Sequence, residues 1–502
     1  MKRIVSLEAD CDLMKGVSQR EDTAFSNPSV ELSVRRWART KPMGVALRGP
    51  EGELSWEEAA RRISGIIDAW CAESTGKTRT KEPGEVEKER LSSDETDGSC
   101  ADRRTSRAFS PLRLVARADE RTVLTIWAAL EVGRPLILLS GKLTTRELDV
   151  LTQTLNAIDE PLPEGTAVVM FTSGTTGRAK PAMISREALI ASARANAANL
   201  PLTDADVWQL AISPARIGGF SILSRCLMAG AGIALSGGFR VDGFLRSLEE
   251  DRVTVASIVP TMLAKILDEA PEARVPATLR TLLVGGAAMP LALRRRAVEA
   301  GWPVMTTYGM TETASNVVTT PFAERFLPAD SLGLPNAGVE IDIRKGEVWV
   351  KGEMLATGYW GGQRFDPNAW YPTGDLGEWA EDGRLRVLAR RTDLILSGGE
   401  NVYPVEVENA LETISGIRAA RVVGLPDPVW GAIVTALIVT ADEGPSNLEI
   451  VSALKEKLAP YKCPRRLARV GALPVTAAGK PERRPFVLEG LDLEVLHYKR
   501  VV

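Results

Sequence analysis

Four hydroxyl side chains and two glycines are packed into the six residues from Thr172 to Gly177, and a lysine follows three residues later. Glycines let backbone N–H groups approach a ligand closely, hydroxyls donate hydrogen bonds to phosphate oxygens, and a lysine neutralises negative charge. The spacing of glycines and lysine differs from that of the common P-loop. The segment therefore predicts a polyphosphate cradle, formed by Thr172, Ser173, Gly174, Thr175, Thr176, Gly177 and Lys180.

The sequence on either side of this segment indicates what positions it. The apolar run 167–171 predicts a buried strand that leads into the cradle. Ser185, followed by the helix-forming stretch 186–193, predicts a capped helix after it. A flexible polar linker is the alternative interpretation, but linkers rarely follow so apolar a strand.

Five further blocks with chemistry-bearing residues follow in the chain. They are Gly285-Gly-Ala-Ala-Met-Pro290, Thr307-Tyr-Gly-Met-Thr-Glu-Thr-Ala-Ser315, Tyr371-Pro-Thr-Gly-Asp375, the pair Arg390–Asp393 and Ser397–Glu408, and Pro474–Arg484. Together with the cradle they resemble, in the same order, the motifs of the adenylate-forming superfamily of acyl-CoA synthetases, luciferases and peptide-synthetase adenylation domains. The resemblance covers roughly residues 28 to 490.

This resemblance implies that the chain activates a carboxylic acid with ATP and Mg²⁺, releases pyrophosphate, and transfers the acyl group to CoA. Such an enzyme must hold a polyanion, stabilise charge at the α-phosphate and align the acid. By the family match, Tyr308 lies against the adenine ring, Thr311 contacts the α-phosphate and Glu312 holds Mg²⁺. A solvated charge is the alternative for Glu312. By the same match, Gly285, Gly286 and Ala287 form the segment that passes the adenine edge. The alternative is that they form a simple turn after a strand.

The remaining assignments also come from the resemblance. Asp375 and Arg390 are assigned to the ribose, although either residue alone would be an ordinary surface charge. Lys480 is the catalytic lysine that reaches the acid and the α-phosphate during adenylation only. After the C-terminal domain rotates, Gly398 and Gly399 line the tunnel for CoA, unless these glycines serve only a β-turn.

Within the superfamily the chain resembles the o-succinylbenzoate–CoA ligases of menaquinone biosynthesis, most clearly in residues 218–225, 308–315 and 393–404. Those enzymes usually carry an aromatic–His pair before the Gly218-Gly219 pair of the acid pocket, where this chain has Ala215 and Arg216. Arg216 either binds a second carboxylate of the acid or lines the pocket wall, paired to an acidic neighbour. The alternatives are another aryl- or fatty-acyl-CoA ligase, a stand-alone adenylation domain that loads a carrier protein, and a non-catalytic binding protein.

Composition limits the class of protein. The chain has 502 residues, of which 44% are hydrophobic, so it is long enough for two or more domains and a large core. A net charge of −3 argues against nucleic acid as the main partner. No apolar stretch reaches membrane-spanning length, and five dispersed cysteines suit a reducing cytoplasm. His497 is the only histidine, which excludes a His-dependent triad. The family resemblance also implies that the protein forms a homodimer.

The distribution of apolar runs predicts an α/β fold. Between residues 112 and 388 strand-like runs alternate with helical stretches, which is typical of mostly parallel sheets with flanking helices. Alternating strands after Val339 predict a small β-barrel-like part. We expect an N-terminal domain at 1–391 and a small, mobile α+β domain at 392–502, with Thr392 at the hinge. Residues 73–110 are polar and charged, which predicts a disordered surface insertion or, alternatively, a basic binding arm.

Overall fold

The structure is a computed structural model. It describes residues 31–74 and 109–498, apart from residues 142, 174–178, 329–331, 399, 442–443 and 476–481. Nearly all of the predicted insertion, residues 75–108, lies outside the described residues, so its prediction as a disordered insertion is not tested. The same holds for Lys480, Gly399 and the four central residues of the cradle, Gly174 to Gly177.

Eleven α-helices lie within the described residues. They are α1 Val34–Thr40, α2 Trp56–Ser74, α3 Glu120–Val132, α4 Thr145–Asn156, α5 Arg186–Ala197, α6 Ile217–Ala229, α7 Val241–Glu250, α8 Pro260–Glu269, α9 Leu291–Glu299, α10 Pro404–Glu412 and α11 Asn447–Lys457. The predicted helix after the cradle is confirmed as α5. Ser185 caps it by accepting a hydrogen bond from the Ala188 amide, which satisfies one of the free N–H groups of the first turn.

The described residues also form 24 strands. They are β1 Val45–Gly49, β2 Gly52–Ser55, β3 Leu112–Ala116, β4 Leu136–Ser140, β5 Thr166–Ser173, β6 Ala179–Ser185, β7 Val207–Gln209, β8 Gly232–Ala234, β9 Val255–Ile258, β10 Thr281–Val284, β11 Val304–Met310, β12 Ser315–Thr319, β13 Leu334–Pro335, β14 Glu340–Arg344, β15 Glu347–Lys351, β16 Gly358–Tyr359, β17 Tyr371–Trp379, β18 Leu385–Arg390, β19 Ile395–Ser397, β20 Glu400–Val402, β21 Ile417–Asp427, β22 Gly431–Thr440, β23 Arg466–Arg469 and β24 Glu494–Val495.

The strands up to β18 form three sheets. The largest has the order β13-β12-β11-β10-β9-β7-β8-β1-β2, and its pairs from β11 to β1 are parallel. The second sheet, β16-β6-β5-β4-β3, is parallel from β3 to β5 and antiparallel beyond. The third, β14-β15-β17-β18, is antiparallel throughout. This architecture confirms the predicted α/β fold.

Buried apolar strands explain why the two larger sheets form. All four residues of β9 and of β10 are buried, as expected for parallel strands covered by helices on both faces. In a neighbouring core, the rings of Trp56 and Trp127 lie 5.4 Å apart and are almost fully buried.

Residues after Arg390 build a separate α+β unit. Its six strands form one sheet, in which the long hairpin of β21 and β22 is central, and its helices α10 and α11 bury Leu411, Ile450 and Leu454 in a core of their own. This arrangement agrees with the α+β character expected for this part of the chain. No helix of the described part of the chain is long and apolar enough to cross a membrane.

Candidate active site

The segment predicted to hold polyphosphate is flanked by two antiparallel strands. Strand β5 ends at Ser173 and β6 begins at Ala179, and these two residues are register partners, as are Thr172 and Lys180. The sequence predicted the strand before the turn but not β6, because Pro181 and the polar residues near it hide the alternation. Lys180 holds its ammonium nitrogen 5.1 Å from the centroid of the Tyr359 ring. Thr172 is half-buried at the other side of the hairpin.

The glycine pair after β10 contacts the strand next to it. A side chain on Gly285 would place its Cβ 2.2 Å from Thr307 Oγ1, so only glycine allows this approach. Gly286 follows with a φ of +78°, and Ala287 after it is half-buried. The neighbour that excludes a side chain at Gly285 is Thr307, the residue before Tyr308.

Tyr308, Asp375 and Arg390 form one hydrogen-bonded group. The Tyr308 hydroxyl donates to Asp375 Oδ2 over 2.7 Å, and Arg390 Nε lies 2.8 Å from Asp375 Oδ1. Asp375 on β17 is the register partner of Arg390 on β18, which places the ion pair across two neighbouring strands. Burial and the nearby Asp375 carboxylate raise the pKa of Tyr308 well above its ordinary value, so this hydroxyl stays protonated as a donor.

A second group surrounds Glu312. This carboxylate is 8% exposed and belongs to a short 3₁₀ helix, Thr311–Thr313, that follows β11. The Tyr359 hydroxyl donates to Glu312 Oε1 over 2.8 Å and lies 3.4 Å from the Tyr371 hydroxyl. Burial and the Glu312 charge raise the pKa of Tyr371 to about 12. Because Tyr371 and Asp375 share β17, the two groups belong to one site.

The predicted acid-binding residues lie at the start of α6. A Cβ on Gly219 would lie 2.4 Å from the carbonyl oxygens of Ile212 and Ser213, so glycine is required there, whereas Gly218 has room for a side chain. Arg216 is the N-terminal flanking residue of the helix and makes no cap hydrogen bond with its side chain. Burial lowers the pKa of its guanidinium. Within the described ranges no carboxylate pairs with Arg216, so the acidic-neighbour alternative is not seen there.

Further along the same helix lies a second arginine. Arg225 is 5% exposed, it donates to Asn316 Oδ1, and its guanidinium carbon lies 5.7 Å from the Trp208 ring centroid. Its Nε has no hydrogen-bond partner within the described residues. Burial lowers the pKa of Arg225 to about 9 because the charged form is desolvated. A buried cation of this kind needs an anionic partner.

The helix α6 also contacts the Glu312 segment. Ser221 Oγ lies 3.2 Å from Ser315 Oγ, three residues after Glu312. In the C-terminal unit, the Gly398 amide donates to the Trp430 carbonyl over 2.9 Å. Gly399 and Lys480 lie outside the described residues.

Sequence reasoning missed three side chains of this site. Tyr359 belongs to a short polar–aromatic stretch that could equally be a surface strand, and only its hydrogen bond to Glu312 marks it. Tyr371 opens a motif block, but its hydroxyl lies next to that of Tyr359, which only the structure shows. Arg225 stands in an apolar helical stretch, Phe220–Met228, and a charge within such a stretch was a signal that could have found it.

Comparison with known proteins agrees with this geometry. The model of AMP-binding enzymes matches residues 90–360, and that of the AMP-binding enzyme C-terminal domain matches residues 406–480. The 2-succinylbenzoate–CoA ligase of Enterococcus faecalis is 36% identical over 340 residues, which is 65% of this chain and 70% of that protein. The ligase of the same name from Bacillus pumilus is 35% identical over 75% of this chain and 87% of that protein.

Solved structures extend the similarity. The o-succinylbenzoate CoA synthetase of Bacillus subtilis in complex with its acyl-adenylate intermediate superimposes with a TM-score of 0.74 at 28% identity, over 93% of this chain and 99% of that one. The same enzyme in complex with ATP and magnesium gives a TM-score of 0.73, over 89% of this chain and 97% of that one. The chain therefore belongs to the family of AMP-binding, or adenylate-forming, enzymes.

Proposed function

We propose that this protein is an ATP-dependent acid–CoA ligase that converts 2-succinylbenzoate into its CoA thioester through an acyl-adenylate, as a step of menaquinone biosynthesis. The observation that carries the proposal is the similarity to two 2-succinylbenzoate–CoA ligases at 35–36% identity. It is supported by the solved relative that holds an acyl-adenylate, which matches nearly the whole chain.

The first half-reaction joins the acid to AMP. A carboxylate oxygen of the acid attacks the α-phosphorus of ATP, the bond from that phosphorus to the bridging oxygen breaks, and pyrophosphate leaves. The cradle, residues 172–177 with Lys180, holds the β- and γ-phosphates, and Thr311 donates to the α-phosphate. Asp375 accepts hydrogen bonds from the ribose hydroxyls, and Arg390 binds the same ribose while its ion pair holds the Asp375 carboxylate in place. The adenine lies between Tyr308 and the 285–287 turn.

The residues present fit a magnesium ion. Glu312 offers a buried carboxylate oxygen, and Mg²⁺ is usually bound by one or two carboxylates together with substrate phosphates and water. No cluster of three or more His, Cys, Asp or Glu side chains occurs among the described residues, which suits an ion held mainly by the nucleotide. When bound, Mg²⁺ neutralises phosphate charge and orients the polyphosphate.

The second carboxylate of the acid needs a cation, and α6 offers two. Arg216 at the start of the helix and Arg225 nine residues later are separated by two and a half turns, about 13.5 Å along the axis, and so lie on opposite faces of the helix. We therefore expect only one of them to bind the carboxylate. Arg216 is the residue we assign from its place before Gly218 and Gly219. Arg225 is the deeper candidate because its charge is buried.

The second half-reaction transfers the acyl group. The CoA thiolate attacks the acyl carbon, the bond to the AMP oxygen breaks, and AMP leaves. We assign residues 1–391 to an N-terminal domain and 392–502 to a C-terminal domain, which rotates about Thr392 between the half-reactions. Lys480 serves the first half-reaction, and Gly398 and Gly399 line the CoA path in the second. The strands after Arg390 pair only with one another in named strand pairs, which supports this boundary. A cytoplasmic location, a homodimer and the absence of a nucleic-acid partner complete the proposal.

ATP–pyrophosphate exchange tests the proposal. With Mg²⁺ and a panel of acids, we expect exchange to be fastest with 2-succinylbenzoate and much slower with benzoate, 4-phenylbutyrate and medium-chain fatty acids. Adding CoA should yield the thioester together with AMP. Production of ADP and orthophosphate would refute the chemistry, whereas preference for a monocarboxylic acid would refute only the acid. An acyl-adenylate that forms but does not react with CoA would favour a carrier-protein loading enzyme.

A further inference from the structure

Strand pairing and backbone hydrogen bonds fix the position of Tyr359. It ends the two-residue strand β16, where it pairs with Ala182 of β6, two residues beyond Lys180. Its amide donates to the Gln363 carbonyl over 2.8 Å, and the Trp360 amide donates to the Pro181 carbonyl over 2.8 Å. The position of Tyr359 is therefore set by the same hairpin that carries the polyphosphate segment.

The Tyr359 side chain contacts two groups of opposite charge. Its hydroxyl donates to Glu312 Oε1 over 2.8 Å, and its ring lies 5.1 Å from the Lys180 ammonium. Phe365 packs edge-on against the ring, with centroids 5.2 Å apart. Phe365 thus holds the ring in place, while the ring contacts Lys180 and the hydroxyl binds Glu312.

We propose that Tyr359 is a positioning residue for the Mg²⁺–ATP site, through Glu312 and Lys180. The inference rests on the proposed function and extends it to a residue that contacts neither the phosphates nor the metal. A carboxylate with one oxygen bound by a fixed donor presents its other oxygen in a defined direction, which strengthens metal binding. An ammonium over an aromatic face is attracted by the ring and loses less freedom when a phosphate arrives.

Buried tyrosines often hydrogen-bond only to satisfy the hydroxyl. A role of that kind would change the stability of the protein when the hydroxyl is removed, but not its affinity for a metal. The test therefore measures the affinity for the metal, the affinity for the nucleotide and the stability of the protein separately. It uses the full chain, with Mn²⁺ as a paramagnetic substitute for Mg²⁺.

The variant Tyr359→Phe keeps the ring and removes the hydroxyl. We expect Mn²⁺ binding to the enzyme–ATP complex, measured by electron paramagnetic resonance, to weaken roughly 10- to 100-fold. Affinity for ATP in the presence of EDTA, measured by calorimetry, should stay at the wild-type value because the ring still faces Lys180. Tyr359→Leu should weaken both, since it removes the ring as well.

Tyr498→Phe is the matched control, because it removes a tyrosine hydroxyl that packs against the core of the C-terminal unit. It should bind Mn²⁺ like the wild type. Unchanged Mn²⁺ affinity in Tyr359→Phe would overturn the proposal, and so would an equal loss in Tyr498→Phe. Failure of the wild type to bind ATP at all would instead overturn the proposed function. If Tyr359→Phe does not fold, Tyr359→Gln, whose amide restores a donor without adding a strong manganese ligand, should recover metal binding relative to Tyr359→Leu.

Discussion

Arg483 and Glu408 form a buried, two-pronged ion pair in the C-terminal unit. Arg483 Nη2 lies 2.8 Å from Glu408 Oε2, Nη1 bonds to the other oxygen, and the two side chains are 10% and 8% exposed. The Val422 amide donates to Glu408 Oε1 over 2.7 Å, and Asp393 Oδ2 lies 3.7 Å from Arg483 Nε. The pair thus joins α10, β21 and the residue after the assigned hinge to the chain segment that follows Lys480.

Breaking this pair should destabilise the C-terminal unit. Arg483→Met leaves the Glu408 carboxylate buried without its main partner, so the free energy of unfolding should fall by roughly 3–5 kcal/mol. Urea denaturation followed by circular dichroism measures it. The double variant Arg483→Met, Glu408→Gln should lose less than the sum of the single losses, because neither member of the pair is left charged without the other. Part of the loss should remain, since Arg421, 3.6 Å from Glu408 Oε1, then has no charged partner at that position. The exposed pair of Arg240 and Asp242 is the control, and Arg240→Ala should change stability little. Equal, small effects at both pairs would contradict the buried-pair account.

Lys480→Ala should separate the two half-reactions. If this lysine serves adenylation only, its removal should slow pyrophosphate exchange roughly 100- to 1,000-fold, the scale for the loss of one electrostatic stabiliser. Thioester formation from pre-made acyl-adenylate and CoA should stay close to the wild-type rate. Equal loss of both rates would contradict a two-conformation mechanism.

Glu412 should give the stability of the protein a pH dependence. The pKa of this carboxyl is raised to about 7, chiefly by burial and also by the nearby Glu408 charge. A hydrogen bond from the Ala420 amide acts in the opposite direction. Since the folded state binds the proton more tightly than the unfolded state, this group favours folding below its ordinary pKa. That contribution is lost as the pH rises toward 7.

Glu412→Gln removes this dependence and keeps an oxygen to accept from Ala420. The gain in unfolding free energy of the variant over the wild type should be larger at pH 8 than at pH 5, by roughly 1–3 kcal/mol. Urea denaturation at both pH values measures the difference. A gain that is the same at both would show that Glu412 titrates normally.

Strong local patterns made most of the fold predictable from sequence. The parallel strands β4, β5, β9 and β10 are short runs of buried residues, and Ser185 is a capping residue before a helical stretch. Strand β6 was missed because its register depends on pairing across the cradle with β5, which no local pattern reports.

The site was predictable only in part, for a similar reason. Motif residues such as Asp375 and Glu312 could be named because their sequence blocks resemble the motifs of a known family. Tyr359 could not, because its role depends on a contact between segments 47 residues apart. The burial of Arg225 is likewise a property of the packed helix α6, whereas the sequence favoured Arg216, which stands in a motif.

The last prediction decides between the two arginines of α6. If Arg216 binds the second carboxylate of the acid, Arg216→Ala should raise KM for 2-succinylbenzoate and leave KM for ATP unchanged. Losing a hydrogen-bonded ion pair of this kind costs about 1.5–3 kcal/mol, which is roughly a 10- to 150-fold rise in KM. Monocarboxylic analogues should react equally with both proteins, since they lack the second carboxylate.

Arg225→Gln is the comparison, because glutamine can still hydrogen-bond to Asn316 and it relieves the cost of a buried charge. If Arg225 binds the second carboxylate, Arg225→Gln should selectively lose activity with the diacid, whereas Arg216→Ala should keep that activity. The thermal stability of Arg225→Gln should then be unchanged or higher. Loss of diacid and monoacid activity to the same degree in both variants would mean that neither arginine reads the second carboxylate. Because the two residues are two and a half turns apart and lie on opposite faces of α6, a selective effect in one variant only assigns the ring carboxylate to that arginine.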